Sequence, residues 1–425
     1  MKIAILGAGF TGLSAAYHLS SQHQVTIFEK ESIPGGLAIS FQPKNWQWPL
    51  EKHYHHFFTS DKEIIKLAKE IDFDSALIYP PSLTSVLYQD KIFPFNGVKD
   101  ILTFNPLDLV SRLRLGIATV LLKITPVHLS KFLEKTTAVN LARLCYGEKI
   151  YQTIWEPLLK GKFGKFYDQL NAAWLWARIK KRTLKLGYFR GGYQAFAQQL
   201  EKKVLEKGVV INYQQEITKV SAKETNQWEI QTKDQRLLSD IVISTLPTPI
   251  FVKLFDLSVD YQKRLSSIPH LHALNLLLEL NQPFLEETYW LNINQDKYPF
   301  LCLTQHTNFI DKKHYGGNHL LYVGNYLNSD HEFLKKSKEE LLEIFLPFLQ
   351  IIKPDFQKNH IVNSFLFLAP FAQPVFLPNY AMIRPFGKTP LKNLYFANID
   401  SVYPWDRGTN YALEIGRKIA EIINS

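Results

Sequence analysis

Runs of consecutive apolar residues alternate with helical-period stretches along this chain. The first run, Ile3-Ala4-Ile5-Leu6, predicts a strand over 2–6, and the pattern after Gly7-Ala8-Gly9-Phe10-Thr11-Gly12 predicts a helix over 10–21. A second strand, Val25-Thr26-Ile27-Phe28, ends at Glu29. Asp61 is expected to cap a helix whose Ile64, Ile65, Leu67 and Ala68 recur at helical spacing up to Ile71. Residues 85–88 and 91–95 read as a hairpin around the two-residue turn Gln89-Asp90. From Gly97 to about Thr183 the pattern is helical almost throughout, with breaks expected at Pro106, Pro126 and Pro157. After Arg190-Gly191-Gly192 an amphipathic helix is expected over 192–207, then strands over 209–213, 228–232 and 240–245. The last of these carries the continuous apolar run Ile241-Val242-Ile243, as in a strand buried on both faces. Residues 269–390 read as several strands and a helix near 330–352, and residues 394–398 as a buried strand before a closing helix over 411–423. No internal repeat or low-complexity segment is evident.

The opening strand, glycine turn and helix carry a specific chemistry. Gly7 permits the tight turn, Gly9 lets the backbone approach a pyrophosphate, and Gly12 lets the helix pack on the strand. Phe10 and Thr11 begin a helix whose N–H groups and positive dipole end face the phosphates. Glu29 stands where a carboxylate accepts hydrogen bonds from ribose hydroxyls, with Lys30 beside it. These residues predict dinucleotide binding.

Downstream, Pro34-Gly35-Gly36-Leu37-Ala38 supplies a second glycine pair. The arrangement resembles the FAD-binding superfamily of amine oxidases, protoporphyrinogen oxidases, phytoene desaturases and UDP-galactopyranose mutases. That resemblance implies FAD as the cofactor, with Gly35, Gly36 and Leu37 near the pyrophosphate and ribityl chain. It also implies an α/β protein with a Rossmann-type, glutathione-reductase-like FAD-binding domain, a mixed-sheet substrate domain and an inserted helical lobe. The expected boundaries are 1–60, 190–255 and 385–425 for the first, 61–96 and 256–384 for the second, and 97–189 for the lobe. Asn398, Gly408, Thr409 and Asn410 match the family's last strand and helix start, which close over the flavin.

The segment His53-Tyr54-His55-His56-Phe57-Phe58-Thr59 is similar to a stretch of UDP-galactopyranose mutases, and the resemblance places His55 beside the flavin. Phe58 departs from that pattern, which usually has a second histidine there. Trp155-Glu156-Pro157, running to Gly164, resembles a loop beside the cavity of protoporphyrinogen oxidase-like proteins, making Trp155, Lys160 and Lys162 candidates for substrate binding; Arg384, which follows a Pro- and aromatic-rich stretch, joins them as an anion-contact candidate. Arg190, Tyr403 and Arg407 join His55 as candidates facing flavin or substrate. No third ligand accompanies the histidines, so no metal site is expected. Three readings stay open: an FAD-dependent oxidase or desaturase, which the aromatic-Glu-Pro loop favours; a mutase without net redox change; and a non-catalytic flavin-binding partner.

Composition narrows the partners. The 425 residues are 46% hydrophobic and 21% charged, as in an ordinary globular protein of two or three domains. A formal charge of +10 fits nucleic acid, an anionic membrane or an anionic ligand. The basic residues lie scattered in short clusters such as Lys180-Lys181-Arg182, with no nucleic-acid fold around them. A small anionic substrate or a peripheral membrane contact is therefore expected. No run reaches the roughly 18–20 apolar residues of a membrane span. The apolar stretch 115–122, flanked by Arg112, Arg114 and Lys123, reads either as a helix packed on the substrate domain or as one lying in a membrane interface. Cys145 and Cys302 are expected as buried thiols of a cytoplasmic protein, and the strand beginning at residue 2 predicts no leader ahead of it. Oligomeric state leaves no signal.

Overall fold

The computed structural model describes residues 1–406 and 408–425. Six strands form the first sheet, in the order Val210–Asn212, Gln24–Phe28, Lys2–Leu6, Ile241–Ser244, Leu394–Phe396 and Gly387–Lys388. The first five run parallel, and the last is an antiparallel edge. Parallel strands need cover on both faces, and accordingly Ile3, Ile5, Ile27 and Ile243 are buried in one core cluster and Ala4, Leu6, Phe28 and Val242 in another. On one face the helix Phe10–Leu19 packs against the closing helix Thr409–Asn424. A Cβ on Gly416 would fall 2.4 Å from the Thr11 carbonyl oxygen, so only glycine allows this approach.

The second large sheet is mixed and has seven strands, with His270–Leu280 between Ile361–Pro374 and His319–Leu327. The hairpin Leu83–Tyr88 and Lys91–Pro94 forms its other edge. Gln89 and Asp90 both have positive φ, 49° and 59°, the mirror-image turn that suits strand twist. Only the hairpin of segment 61–96 joins this sheet: helix Lys62–Glu70 packs instead on the closing helix, tied by the Arg417–Glu63 ion pair at 2.5 Å. Likewise Leu186–Phe189, expected in the lobe, pairs with Phe57–Phe58 and Leu77–Ile78.

Between residues 98 and 181 the chain forms the helical lobe, with Trp174 and Trp176 fully buried at its centre. Breaks occur after the helices at Pro106 and Pro126, but not at Pro157. There the chain passes from a π-turn, Tyr151–Trp155, into helix Glu156–Phe163, and Pro157 sits in its first turn, where no N–H partner is needed. The Asn294 side-chain amide donates to the Thr153 and Ile154 carbonyls, satisfying groups the widened turn releases. Three further expectations change. Asp61 holds the N-cap position of Lys62–Glu70, yet its carboxylate accepts from the Phe58 N–H at 2.8 Å rather than from the helix. The helix near 330–352 starts at Lys338, where Ser337 and Glu340 cap it reciprocally. Cys145 is half-buried, unlike Cys302.

Candidate functional site

The glycine turn adopts the geometry its spacing predicts. Gly7 has φ 106°, and a Cβ on Gly12 would stand 2.1 Å from the Gly7 carbonyl oxygen. Gly9 bridges Gly35, whose N–H donates to the Ala8 carbonyl at 3.1 Å. A Cβ on Gly36 would lie 3.0 Å from the Gly9 Cα. The two glycine pairs thus press backbone against backbone at the start of helix Phe10–Leu19, whose first turn carries no acidic residue. Bare backbone N–H groups at a helix N-terminus form a cradle for phosphate. Glu29 borders it, accepting from the Ala8 N–H at 2.7 Å and the Glu31 N–H at 2.9 Å. A carboxylate has about four acceptor sites, so both oxygens retain capacity for ribose hydroxyls. Lys30 is exposed, 3.9 Å from Glu31, and Leu37 is exposed on the glycine loop. These residues fit a dinucleotide.

The cradle continues into a buried aromatic cluster. Phe10 contacts Tyr193 edge-on at 6.4 Å, and Tyr193 lies 5.4 Å from the His55 ring. Gln194 donates to the Pro34 carbonyl and accepts from the Ser40 N–H, pinning the second glycine loop. His55 has Nδ1 2.6 Å from the His53 carbonyl oxygen, a contact that requires Nδ1–H to donate. His56 contacts the Tyr289 hydroxyl at 3.1 Å, and His53 contacts Asn275.

At the centre of this cluster lies Glu51, fully buried, which no sequence signal marked. Its carboxylate accepts from the Tyr188 hydroxyl at 2.7 Å and the Tyr193 N–H at 2.6 Å, while the Tyr322 hydroxyl donates to its backbone carbonyl. Burial pushes its pKa up to about 7, although the two hydrogen bonds pull it down. Burial also holds His306, 2.8 Å from the Tyr315 hydroxyl, down at about 3.

Other candidates are committed elsewhere. Asn410 Oδ1 accepts from the Glu63 and Ile64 N–H groups, capping the helix that Asp61 leaves uncapped. Asn398 bonds Leu246, Thr248 and Asp400, and so fixes the loop after its strand. Tyr403 is buried in the lobe-side core, its hydroxyl donating to Glu134. Arg384 Nε donates to the Ser401 carbonyl, and its guanidinium lies over Phe386. Arg190 is exposed, and its backbone N–H donates to Ala76. Lys160 pairs with Glu156 and Asp296 along an open depression of about 360 Å³, and Trp155 packs on Tyr146. Lys162 is buried against Asp406 at 3.0 Å, and Asp406 also receives Trp174 Nε1 and Arg178. Asp406 stands just ahead of Gly408 and Thr409, where the closing helix starts. Arg407 lies outside the described residues. Among the described residues no cluster of His, Cys, Asp or Glu could hold a metal.

Comparison with known proteins agrees with this geometry. A coproporphyrinogen III oxidase of Staphylococcus aureus (strain NCTC 8325 / PS 47) is 27% identical over 311 residues, spanning 63% of this chain and 65% of that relative. A protein from Exiguobacterium sp. 255-15, provisionally assigned as a protoporphyrinogen oxidase, superposes with a TM-score of 0.77 at 16% identity, covering 99% of this chain and 98% of its own. Reduced UDP-galactopyranose mutase superposes with a TM-score of 0.75 at 15% identity, covering 100% and 95%. The model of the flavin-containing amine oxidoreductases matches residues 10–424, and the chain belongs to that family of flavin-dependent oxidoreductases.

Proposed function

We propose that the protein uses FAD to take a hydride from a small organic substrate. The unbroken series from the glycine cradle through Phe10 and Tyr193 to His55 carries this reading, because it joins the cofactor cradle to a histidine whose Nδ1–H is held by a backbone carbonyl. Gly7, Gly9 and Gly12 would hold the pyrophosphate with the helix N-terminus, Gly35 and Gly36 would border it, and Glu29 would receive the ribose hydroxyls. FAD, when bound, supplies the two-electron acceptor. His55 Nε2 takes or orients the proton that leaves the substrate, while the surrounding tyrosines and Phe57 exclude water.

An absorbance spectrum tests the reading. The purified protein is expected to show oxidised flavin near about 450 nm and to lose that band anaerobically with a hydride donor. Coproporphyrinogen III comes first, since the relative named for it is similar along much of the chain, and a panel of amines second. Interconversion of UDP-galactopyranose by the dithionite-reduced protein alone, without net use of reductant, would overturn net oxidation. Failure to take up FAD on reconstitution would remove the reading altogether.

A further inference from the structure

We propose that the helical lobe docks on a bilayer surface rich in anionic headgroups, through helix Leu109–Ile124 and the turn that follows it. The helix has two apolar faces. Leu115, Ala118 and Leu122 are buried in the lobe, which is the single stripe that packing requires. On the opposite side Val110, Leu113, Ile117, Val120 and Ile124 are exposed, Val110 by 76% and Ile124 by 68%. The apolar surface continues past a 112° bend into Val127–Leu133, where Phe132 is 71% exposed. None of the described residues covers this second stripe.

The helix alone is too short for a span. At about 1.5 Å per residue the helix is roughly 24 Å long, short of the roughly 30 Å hydrocarbon core, and one of its faces is committed to the lobe. No single helix among the described residues is long and apolar enough to cross a membrane. An amphipathic element of this kind lies in the interface plane.

Charge selects the occupant. Residues 109–133 contain Arg112, Arg114, Lys123 and Lys131 and no carboxylate. Arg112 bonds the Leu102 and Leu107 carbonyls, and Arg114 those of Leu144 and Cys145, so both guanidinium groups are held at the rim by neutral acceptors. Lys180 Nζ donates to the Lys123 and Thr125 carbonyls, adding a cation at the helix C-terminus. The neighbouring carboxylates point to other partners: Asp108 caps the helix and pairs with Lys149, and Glu134 receives the Tyr403 hydroxyl. A second copy would bring the same positive rim to the contact, and each chain already carries +10. Anionic lipid complements both the apolar stripe and its border.

Co-sedimentation of the full chain with vesicles tests this. Vesicles of equal parts phosphatidylglycerol and phosphatidylcholine are expected to retain the protein, pure phosphatidylcholine vesicles are not, and added salt weakens retention. Ile117→Asp combined with Val120→Asp is expected to lower partitioning by about tenfold or more. Val259→Asp, on an exposed apolar residue elsewhere, should leave it unchanged. Lys123→Glu with Lys131→Glu should weaken binding and flatten its salt dependence. Unchanged flavin content and urea midpoint would show each variant folded. Equal binding to both vesicle types, no binding, or parental binding by the aspartate pair would overturn the proposal. So would a lipid-free dimer that the aspartate pair dissociates, which assigns the face to a second copy.

Discussion

Glu51 is surrounded by phenols rather than cations, so its charge is stabilised only by donated hydrogen bonds. A buried carboxyl in such surroundings prefers its proton, and its pKa rises from 4.5 to about 7. Because the folded value lies above the unfolded one, the native state binds more protons between those limits. Its contribution to stability is therefore fully present below about pH 4.5 and is lost as pH rises towards 7. His306 works the other way, since its lowered pKa removes stability as pH falls below 6.5. Replacing Glu51 by Gln separates the two. The stability of Glu51→Gln relative to the parent is expected to improve between pH 4.5 and 7 by at most about 3 kcal/mol, read from urea unfolding across that range. Nothing in Trp48-Pro49-Leu50-Glu51 announces this role, because Glu51's partners come from residues 188, 193 and 322. Gly7, Gly35 and Gly36 were legible for the opposite reason: each takes a positive φ, a backbone conformation set within a few residues.

Among the elements, the strands, the hairpin and the breaks at Pro106 and Pro126 followed local pattern closely, whereas the Asp61 cap and the Pro157 break did not. Asp61 looks like the cap of Lys62–Glu70, yet Asn410 performs that task from the far end of the chain. The Asn410→Ala variant is thus expected to lose about 1 kcal/mol, visible as a lower urea midpoint, and Asn410→Ser to recover part of it. Pro157 misled for a related reason. A proline reads as a break, but after a π-turn its missing N–H costs nothing, and the compensating donor is the distant Asn294. The apolar stretch at 115–122 was legible as a helix, although periodicity alone does not tell which of two apolar faces a lobe will cover.

For the molecule as a whole, the join between lobe and closing helix rests on a buried charge cluster. Lys162 and Asp406 come from opposite sides of that join, with Trp174, Arg178 and Gln373 around them. Removing one partner strands the other charge away from water. The Asp406→Asn variant is expected to cost about 3–5 kcal/mol, measured by thermal unfolding, and to loosen the start of the closing helix. A second whole-molecule consequence follows from the order in which the first sheet draws its strands. Ile241–Ser244 waits for Leu394–Phe396, and the first helix waits for Gly416 to cover it. Synthesis proceeds from the other end, so the earliest strands emerge long before their last neighbours. A ribosome-bound chain therefore carries an open apolar strand edge until Leu394–Phe396 appears. A chain clipped ahead of Leu394 keeps that edge for good, a template for pairing with its own kind.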